Sequence, residues 1–141
     1  MSQTISDTVL SALAAAYFGG VAAQGPATLY AAFFIGATGP LTGGTEAAGG
    51  NYSRTAKTNN QANFAAPTGS GGTLTVLNGT DIVGPRSTAA WGTVNCVRFY
   101  SASSGGTLLG GAILTPTVSV DAAGITITLE AGAVSIVLAS S

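Results

Sequence analysis

After residue 27 the apolar residues of this chain fall in short runs separated by glycine and other turn-forming residues. Runs such as Ile125-Thr126-Ile127-Thr128-Leu129 alternate apolar and polar side chains, which is the pattern of a half-buried strand. With 21 glycines in 141 residues, tight turns are available between many short strands. We therefore predict a mainly β chain forming a β-sandwich or jelly-roll-like domain. The predicted strands are residues 28–35, 52–58, 62–65, 73–77, 80–83, 94–100, 107–114, 117–120, 125–129 and 134–138.

One helix is predicted before the strands. Residues 5–18 place apolar side chains at helical spacing, and the spacing of Thr4 and Asp7 resembles a capping box. Gly19-Gly20 supplies a helix stop. The length fits a single domain. The expected parts of this domain are a helix or arm over residues 1–20 and the β-sandwich over residues 27–141.

Two glycine-containing connections carry further predictions. Asn78-Gly79 separates two apolar runs, and Asn-Gly is the strongest short hairpin signal because both turn positions favour positive φ. Residues 36–51 are rich in glycine but lack the Gly-Lys-[Ser/Thr] ending of a phosphate-binding loop. They are therefore predicted to form a flexible or wrapping connection.

Charged side chains are scarce. The chain has four basic and five acidic residues and no histidine, so 6% of its residues are charged, against about 25% in ordinary soluble domains. Most enzymes need a general acid or base, for which histidine is the usual choice near neutral pH. Charge also keeps small domains soluble and unassociated. We therefore predict a protein that is not an enzyme, has no cofactor and packs against other proteins.

The acidic residues and the single cysteine do not suggest a chemical site. The five acidic residues lie in or beside predicted turns or the helix start: Asp7, Glu46, Asp81, Asp121 and Glu130. Acids commonly cap or solubilise such positions, and no calcium-loop motif is present. Neither a catalytic carboxylate pair nor a metal site is predicted. Cys96 lies among apolar strand residues without a histidine base, so a buried thiol is expected.

Nucleic acid and membrane partners are not predicted either. Arg54, Lys57, Arg86 and Arg98 are scattered singly along the chain, whereas nucleic-acid binding normally needs a basic cluster. The most apolar stretch, residues 27–35, is far shorter than the roughly 20 residues of a membrane span. Because no basic residue precedes the N-terminal apolar region, a secretion signal is not expected.

Trp91 is the only tryptophan, and two interpretations of it remain open. It can open a strand and plug one end of the sandwich, which is the more ordinary role. It can instead anchor an interface, since tryptophan is enriched among interface hot spots.

Four parts of the chain, in order, carry a family resemblance. They are the N-terminal helix with Pro26-Ala27-Thr28-Leu29-Tyr30-Ala31-Ala32-Phe33, then Gly43-Gly44-Thr45-Glu46 with Gly49-Gly50-Asn51-Tyr52-Ser53-Arg54, then Trp91-Gly92-Thr93-Val94, and finally Gly105-Gly106-Thr107-Leu108-Leu109 with Gly111-Ala112-Ile113-Leu114. Together they resemble a family of small tailed-phage virion proteins, often labelled tail fibre protein and sometimes head decoration or cement protein. The chain departs from the family's pattern at Ala90, where an acidic residue is usual, and its segment 59–85 is longer than is usual in the family. The resemblance implies a β-sandwich virion protein without enzyme activity.

From this resemblance we expect a capsid decoration or cement protein that binds and stabilises the assembled phage head. Few charges lower the desolvation cost of broad contact, and binding only the assembled state would stabilise the shell by mass action. The expected partners are the major capsid protein and neighbouring copies of the chain itself, as a dimer or trimer. The candidate interface residues are Val9, Leu13, Tyr17, Phe18, Leu41, Tyr52, Arg54 and Trp91.

Two alternatives stay open. In the first, the protein belongs to the tail, as a fibre or baseplate-associated structural protein. In the second, it is a carbohydrate-binding β-sandwich module. The expected location is the virion, with the head surface preferred over the tail, and the host cytoplasm during assembly.

Overall fold

The computed structural model describes residues 5–139, which form a mainly β structure with one N-terminal helix. Helix α1 is Asp7–Gly19. The strands are β1 Thr28–Ala37, β2 Gly43–Glu46, β3 Thr55–Thr58, β4 Thr68–Ser70, β5 Thr73–Leu77, β6 Ile82–Val83, β7 Gly92–Tyr100, β8 Leu108–Val120, β9 Thr128–Leu129 and β10 Ser135–Ala139. They pair in antiparallel sheets that make a sandwich-like fold, which confirms the predicted fold class. No helix in the described range is long and apolar enough to cross a bilayer.

The largest sheet has the strand order β2-β1-β7-β8, and β3 also pairs with β1. Successive side chains of a strand point to opposite faces, so both faces of β1 are used. Ala31 and Phe33 join the main core, whereas Ala32 and Phe34 join a smaller cluster with Cys96 on the other face. Strand β1 is therefore buried on both faces for part of its length, and the prediction that Cys96 is buried is confirmed.

The main core lies between this sheet and two smaller sheets, β10-β5-β4 and β6-β9. Phe33 and Phe99 of the large sheet share one buried cluster with Ile82 of β6, Leu129 of β9 and the neighbouring Val134. These side chains are at most 6% exposed. Burial of this kind is the main favourable term in folding, and it leaves loops and strand ends to carry contacts with other molecules.

Helix α1 starts two residues later than predicted because Ser6 is its N-cap, with the Ser6 hydroxyl accepting the Val9 N–H at 3.4 Å. Thr4, the cap residue predicted from the sequence, lies outside the described residues. Ile5 is buried and bridges to β8 instead of entering the helix. At the other end Gly20 adopts a φ of 67°, which confirms the predicted glycine stop.

The predicted Asn78-Gly79 hairpin is wrong. Strand β5 pairs with β4 and β10, whereas β6 pairs with β9. Asn78 is 3% exposed. Its amide donates to the carbonyls of Thr80 and Glu130, and its side-chain oxygen accepts the Val134 N–H at 2.8 Å. The side chain thus joins separate chain segments, a role that an exposed two-residue turn cannot provide.

Several strand boundaries also differ from the predictions. Strand β2 lies inside the glycine-rich connection because it pairs with the end of β1. Strand β3 begins at Thr55 and not at residue 52. Residues 62–65 form no strand, only a single bridge from Phe64 to Asn78. The two strands predicted over residues 107–120 are one, because β7 pairs with both parts of β8.

The remaining differences are in short strands. Strand β4 was not predicted, and β6 and β9 are shorter than the sequence pattern indicates. At Ile125 the backbone N–H bonds to the Ser87 hydroxyl at 3.0 Å, and the carbonyl accepts the Ser87 N–H at 2.8 Å. Hydrogen bonds with Ser87 therefore occupy the N–H and the carbonyl of Ile125, which a longer β9 would have used for strand pairing.

Candidate interaction site

An ion pair between Arg54 and Glu46 holds three chain segments together. Glu46 ends β2, and Arg54 directly precedes β3. The guanidinium donates two 2.8 Å bonds to the two carboxylate oxygens, which is a bidentate pair. Its third nitrogen donates to the carbonyls of Ala102 and Gly105, at 2.9 and 2.7 Å, in the β7–β8 loop. The Arg54 side chain is 8% exposed, so its charge is used to fix these loops.

Tyr52 extends this cluster into the core. Its hydroxyl donates to Glu46 Oε2 at 2.8 Å and accepts the N–H of Phe33 at 3.0 Å. Its ring meets Trp91 edge to face, with ring centroids 5.3 Å apart. The Trp91 indole N–H donates to the Gly50 carbonyl at 3.0 Å. Trp91 is 7% exposed, as expected for the interpretation in which it plugs the sandwich.

The pKa values of the cluster follow from these contacts. The hydrogen bond from Arg54 lowers the pKa of Glu46 below its ordinary value, although partial burial opposes the shift. Burial, followed by the bond to Glu46, raises the pKa of Tyr52 well above its ordinary value. Glu46 is therefore held as a carboxylate and Tyr52 as a neutral donor, the protonation states that the hydrogen bonds require.

A cleft of about 510 Å³ opens to solvent beside the cluster. Its walls include the charged pair and three exposed serines, Ser53, Ser103 and Ser104. The volume is within the range of small-molecule sites. Because Glu46 and Arg54 already neutralise each other, the groups most available to a ligand are hydroxyls and main-chain atoms.

Arg98 is a second buried arginine, at 5% exposure, on the face of the large sheet away from the main core. It donates to carbonyls of the β1–β2 loop, at 2.9 Å to Pro40, 2.7 Å to Thr42 and 2.8 Å to Gly43. Leu41, one of the predicted interface residues, is half-buried in this loop. Carbonyl dipoles thus replace water around the guanidinium, and the loop is tied to the sheet.

The two arginines belong to one row of stacked side chains on this outer face. The Arg98 guanidinium lies 4.1 Å from the ring centroid of Phe34, and that of Arg54 lies 4.0 Å from the ring of Tyr100. The two rings stack with centroids 6.3 Å apart. Cation–π contacts of this kind are strengthened by burial. The row fixes the β1–β2 and β7–β8 loops with respect to each other.

Helix α1 holds the other four predicted interface residues, Val9, Leu13, Tyr17 and Phe18. Val9 is partly buried, Leu13 is 37% exposed, and Tyr17 and Phe18 are 83% and 93% exposed. None of the helical residues is buried. The helix therefore presents an apolar surface that the rest of the described chain does not cover.

The structure brings together only part of the predicted interface set. Tyr52, Arg54 and Trp91 lie in one cluster, Leu41 lies in the loop held by Arg98, and the remaining four lie on α1. The interface role of all eight residues stays a prediction. The sequence pattern does not single out Glu46, Arg98 or Tyr100 as site residues, although Glu46 and Arg54 belong to the same pair of resembling segments.

Groups suited to metal or nucleophilic chemistry lie apart from one another. Within residues 5–139, no group of three or more His, Cys, Asp or Glu side chains could hold a metal ion. Cys96 is fully buried, and burial raises the pKa of its thiol. A neutral, enclosed thiol is a poor nucleophile.

The fold and the cluster define a mainly β, sandwich-like protein in which two arginines tie loops to one another. The chain belongs to the family described as podophage GP4 fiber I protein gp80, whose sequence model matches residues 4–137. It is therefore a protein of a phage fibre family and a component of the virion. This match confirms the resemblance to phage virion proteins that the sequence carries. No curated protein matches the chain.

Proposed function

We propose that this protein is a non-enzymatic structural subunit of a podophage tail fibre. The observation that carries the proposal is the family match over residues 4–137, nearly the whole chain, to a family described as a fibre protein. This description favours the tail-fibre alternative over the capsid decoration role expected from the sequence. The proposed partners are other fibre or tail proteins and further copies of the chain.

The geometry supports a static role. Both buried arginines have their hydrogen bonds directed to Glu46 or to loop carbonyls. Every buried side-chain nitrogen and oxygen in the described part of the chain has a hydrogen-bond partner. A surface built in this way is fixed before it meets a partner, which reduces the ordering cost of assembly.

Copy number and position in purified virions test the proposal. Quantitative mass spectrometry should give few copies per particle, set by the symmetry of the tail, with the major capsid protein of the same particles as internal standard. Antibody labelling should place the protein on the tail in electron micrographs. Copies in proportion to the major capsid protein, with label over the head, would instead establish the decoration role.

Glycan binding is a second candidate function, favoured by the open cleft with its three serine hydroxyls. Hydroxyls and main-chain groups can hydrogen-bond a sugar, but Trp91 is buried and the Tyr52 hydroxyl is already bonded. A glycan array with the purified protein tests this function. Binding that disappears in a Ser53→Ala/Ser104→Ala double variant would support it, and the absence of any signal would reject it.

A further inference from the structure

We propose that α1 is an assembly element that pairs antiparallel with α1 of a second copy of this chain, about a two-fold axis at Leu13. This pairing concerns how two copies meet, so it holds or fails independently of the position of the protein in the virion. The stability of the helix, its residue pattern, its charge and its exposed area together identify this partner surface.

Helix α1 needs a cover that the described chain does not provide. It has 13 residues, and none of them is buried. Isolated helices of this length are marginal in water, and most helical stability in proteins comes from packing of an apolar face. The sequence Asp7–Gly19 contains one charged residue, while Leu13, Tyr17 and Phe18 are exposed. A helix this apolar is normally enclosed by neighbours.

The apolar stripe of α1 is complementary to itself. Val9, Leu13 and Tyr17 are four residues apart and lie on one side of the helix. At the Val9 end, two adjoining apolar cavities of about 230 and 210 Å³ share Val9, Gly25, Pro26 and Leu109 in their walls. At the other end Tyr17 is 83% exposed. The molecule therefore carries both an unfilled apolar groove and an uncovered aromatic ring on one stripe.

A two-fold axis at Leu13 brings these two ends together. In an antiparallel pair each Tyr17 lies opposite the partner's Val9, because both residues are four positions from Leu13 and so about 6 Å along the axis. Each Tyr17 ring then reaches the groove of the other copy, and the two Leu13 side chains meet at the centre. The alanines of α1 at 12, 14, 15 and 16 allow two helices to approach closely, and antiparallel helix dipoles favour the arrangement.

The net charge of the chain and the contact area on α1 both favour a second copy of the chain as the partner of this helix. The residues that line the two cavities include no charged side chain, and the net charge of the chain is −1, so two copies repel each other little. On the stripe, Tyr17 alone offers about 150–250 Å² per copy, the area that a buried aromatic covers. Two copies, counted with the surfaces they cover, give about 600–1,000 Å² before Leu13 is added, close to the roughly 1,000 Å² that a specific interface needs.

The oligomeric state of the full chain tests the pairing, using two leucines of similar exposure. Leu13 is 37% exposed on α1 and Leu74 is 42% exposed on β5. Sedimentation velocity should show a concentration-dependent dimer of the wild-type chain. Leu13→Glu should raise the dimer Kd about tenfold or more, whereas Leu74→Glu should leave it unchanged. Both leucines are exposed, and glutamate favours helix at position 13, so circular dichroism should show a folded protein in both variants.

A cross-linking variant keeps the test decisive if Leu13→Glu folds poorly. The native Cys96 is fully buried, so Leu13→Cys introduces an accessible thiol at the proposed axis. Mild oxidation should produce a disulfide-linked dimer from Leu13→Cys and none from Leu74→Cys. A wild-type chain that stays monomeric at every concentration overturns the proposal, and would mean that a different protein covers α1. A dimer that Leu13→Glu leaves intact and Leu13→Cys does not cross-link also overturns it.

Discussion

Arg54 joins the end of β2 to the β7–β8 loop, and its replacement should lower the stability of the protein. Arg54→Met keeps an apolar stem but removes two bonds to Glu46 and two to the β7–β8 loop. It also leaves the Glu46 carboxylate, 27% exposed, without its cation. We expect the free energy of unfolding to fall by about 2–4 kcal/mol. Urea denaturation followed by tryptophan fluorescence measures this change, because Trp91 packs beside the cluster.

Arg86→Met is the matched control for the change of charge. Arg86 is exposed, so its replacement should change the free energy of unfolding by no more than about 0.5 kcal/mol. Equal losses in the two variants would show that net charge, and not the bonds of Arg54, determines the effect.

Arg98 should control the order of the β1–β2 loop. Arg98→Lys keeps the charge, but an ammonium group cannot reproduce the fork that contacts Pro40, Thr42 and Gly43. We expect amide hydrogen exchange within residues 38–43 to become about tenfold faster or more, equivalent to about 1.4 kcal/mol of local stability. Exchange in β10, far along the chain, should change little. Unchanged protection of the loop in this variant would contradict the role assigned to Arg98.

Only part of this site could be predicted at the level of single residues. Tyr52, Arg54 and Trp91 stand out in the sequence as isolated aromatic or charged residues in a neutral chain. Their partners do not, because Glu46 resembles any turn acid, and the link from Arg54 to Ala102 spans 48 residues. The stacked row depends on the register of β1 with β7, which composition and periodicity do not specify.

At the level of elements, Asn78 decides how β5 and β6 are connected. An exposed Asn-Gly hairpin tolerates aspartate at its first turn position. In the structure Asn78 donates to three carbonyls, those of Thr80, Leu129 and Glu130, and a carboxylate cannot donate. We expect Asn78→Asp to lower the free energy of unfolding by about 2–4 kcal/mol, measured by urea denaturation at pH 7.

Asn59→Asp is the control for this prediction. Asn59 is exposed, and its amide makes a single bond to the Pro26 carbonyl at 2.9 Å. Its replacement should cost about 1 kcal/mol or less. A small effect at both positions would mean that Asn78 behaves as an ordinary turn residue.

The elements most accurately predicted are those whose pattern is local. Helix α1 and strands β1, β7 and β10 appear close to their predicted positions because periodicity and glycine stops define them. Strands β2 and β4 are short, polar or rich in glycine, and they form by pairing with the adjacent strands β1 and β5. Strand β6 has two residues and pairs with the distant β9. The hairpin prediction was wrong because burial of Asn78 among distant carbonyls outweighed its local turn preference.

For the whole molecule, scarcity of charge makes stability depend on few ionisable groups. The chain has no histidine, so no imidazole changes its charge between pH 5 and 8. Among the five acidic residues, Glu46 is the one held in an ion pair within the described residues. The acid limb of the stability curve should therefore depend strongly on this single carboxylate.

The pH dependence of Glu46→Gln tests that expectation. The pKa of Glu46 in the folded protein is lowered from its ordinary value of 4.5 by the bond from Arg54. The unfolded chain therefore binds a proton first as the pH falls, and the stabilisation present above about pH 4.5 is lost as the pH drops through the folded-state pKa. Wild-type stability should fall along this limb. Glu46→Gln should be less stable by about 2 kcal/mol at pH 7, with a shallower fall below pH 4.5. Parallel curves for the two proteins, measured by urea denaturation from pH 7 to pH 3, would show that another group dominates the acid response.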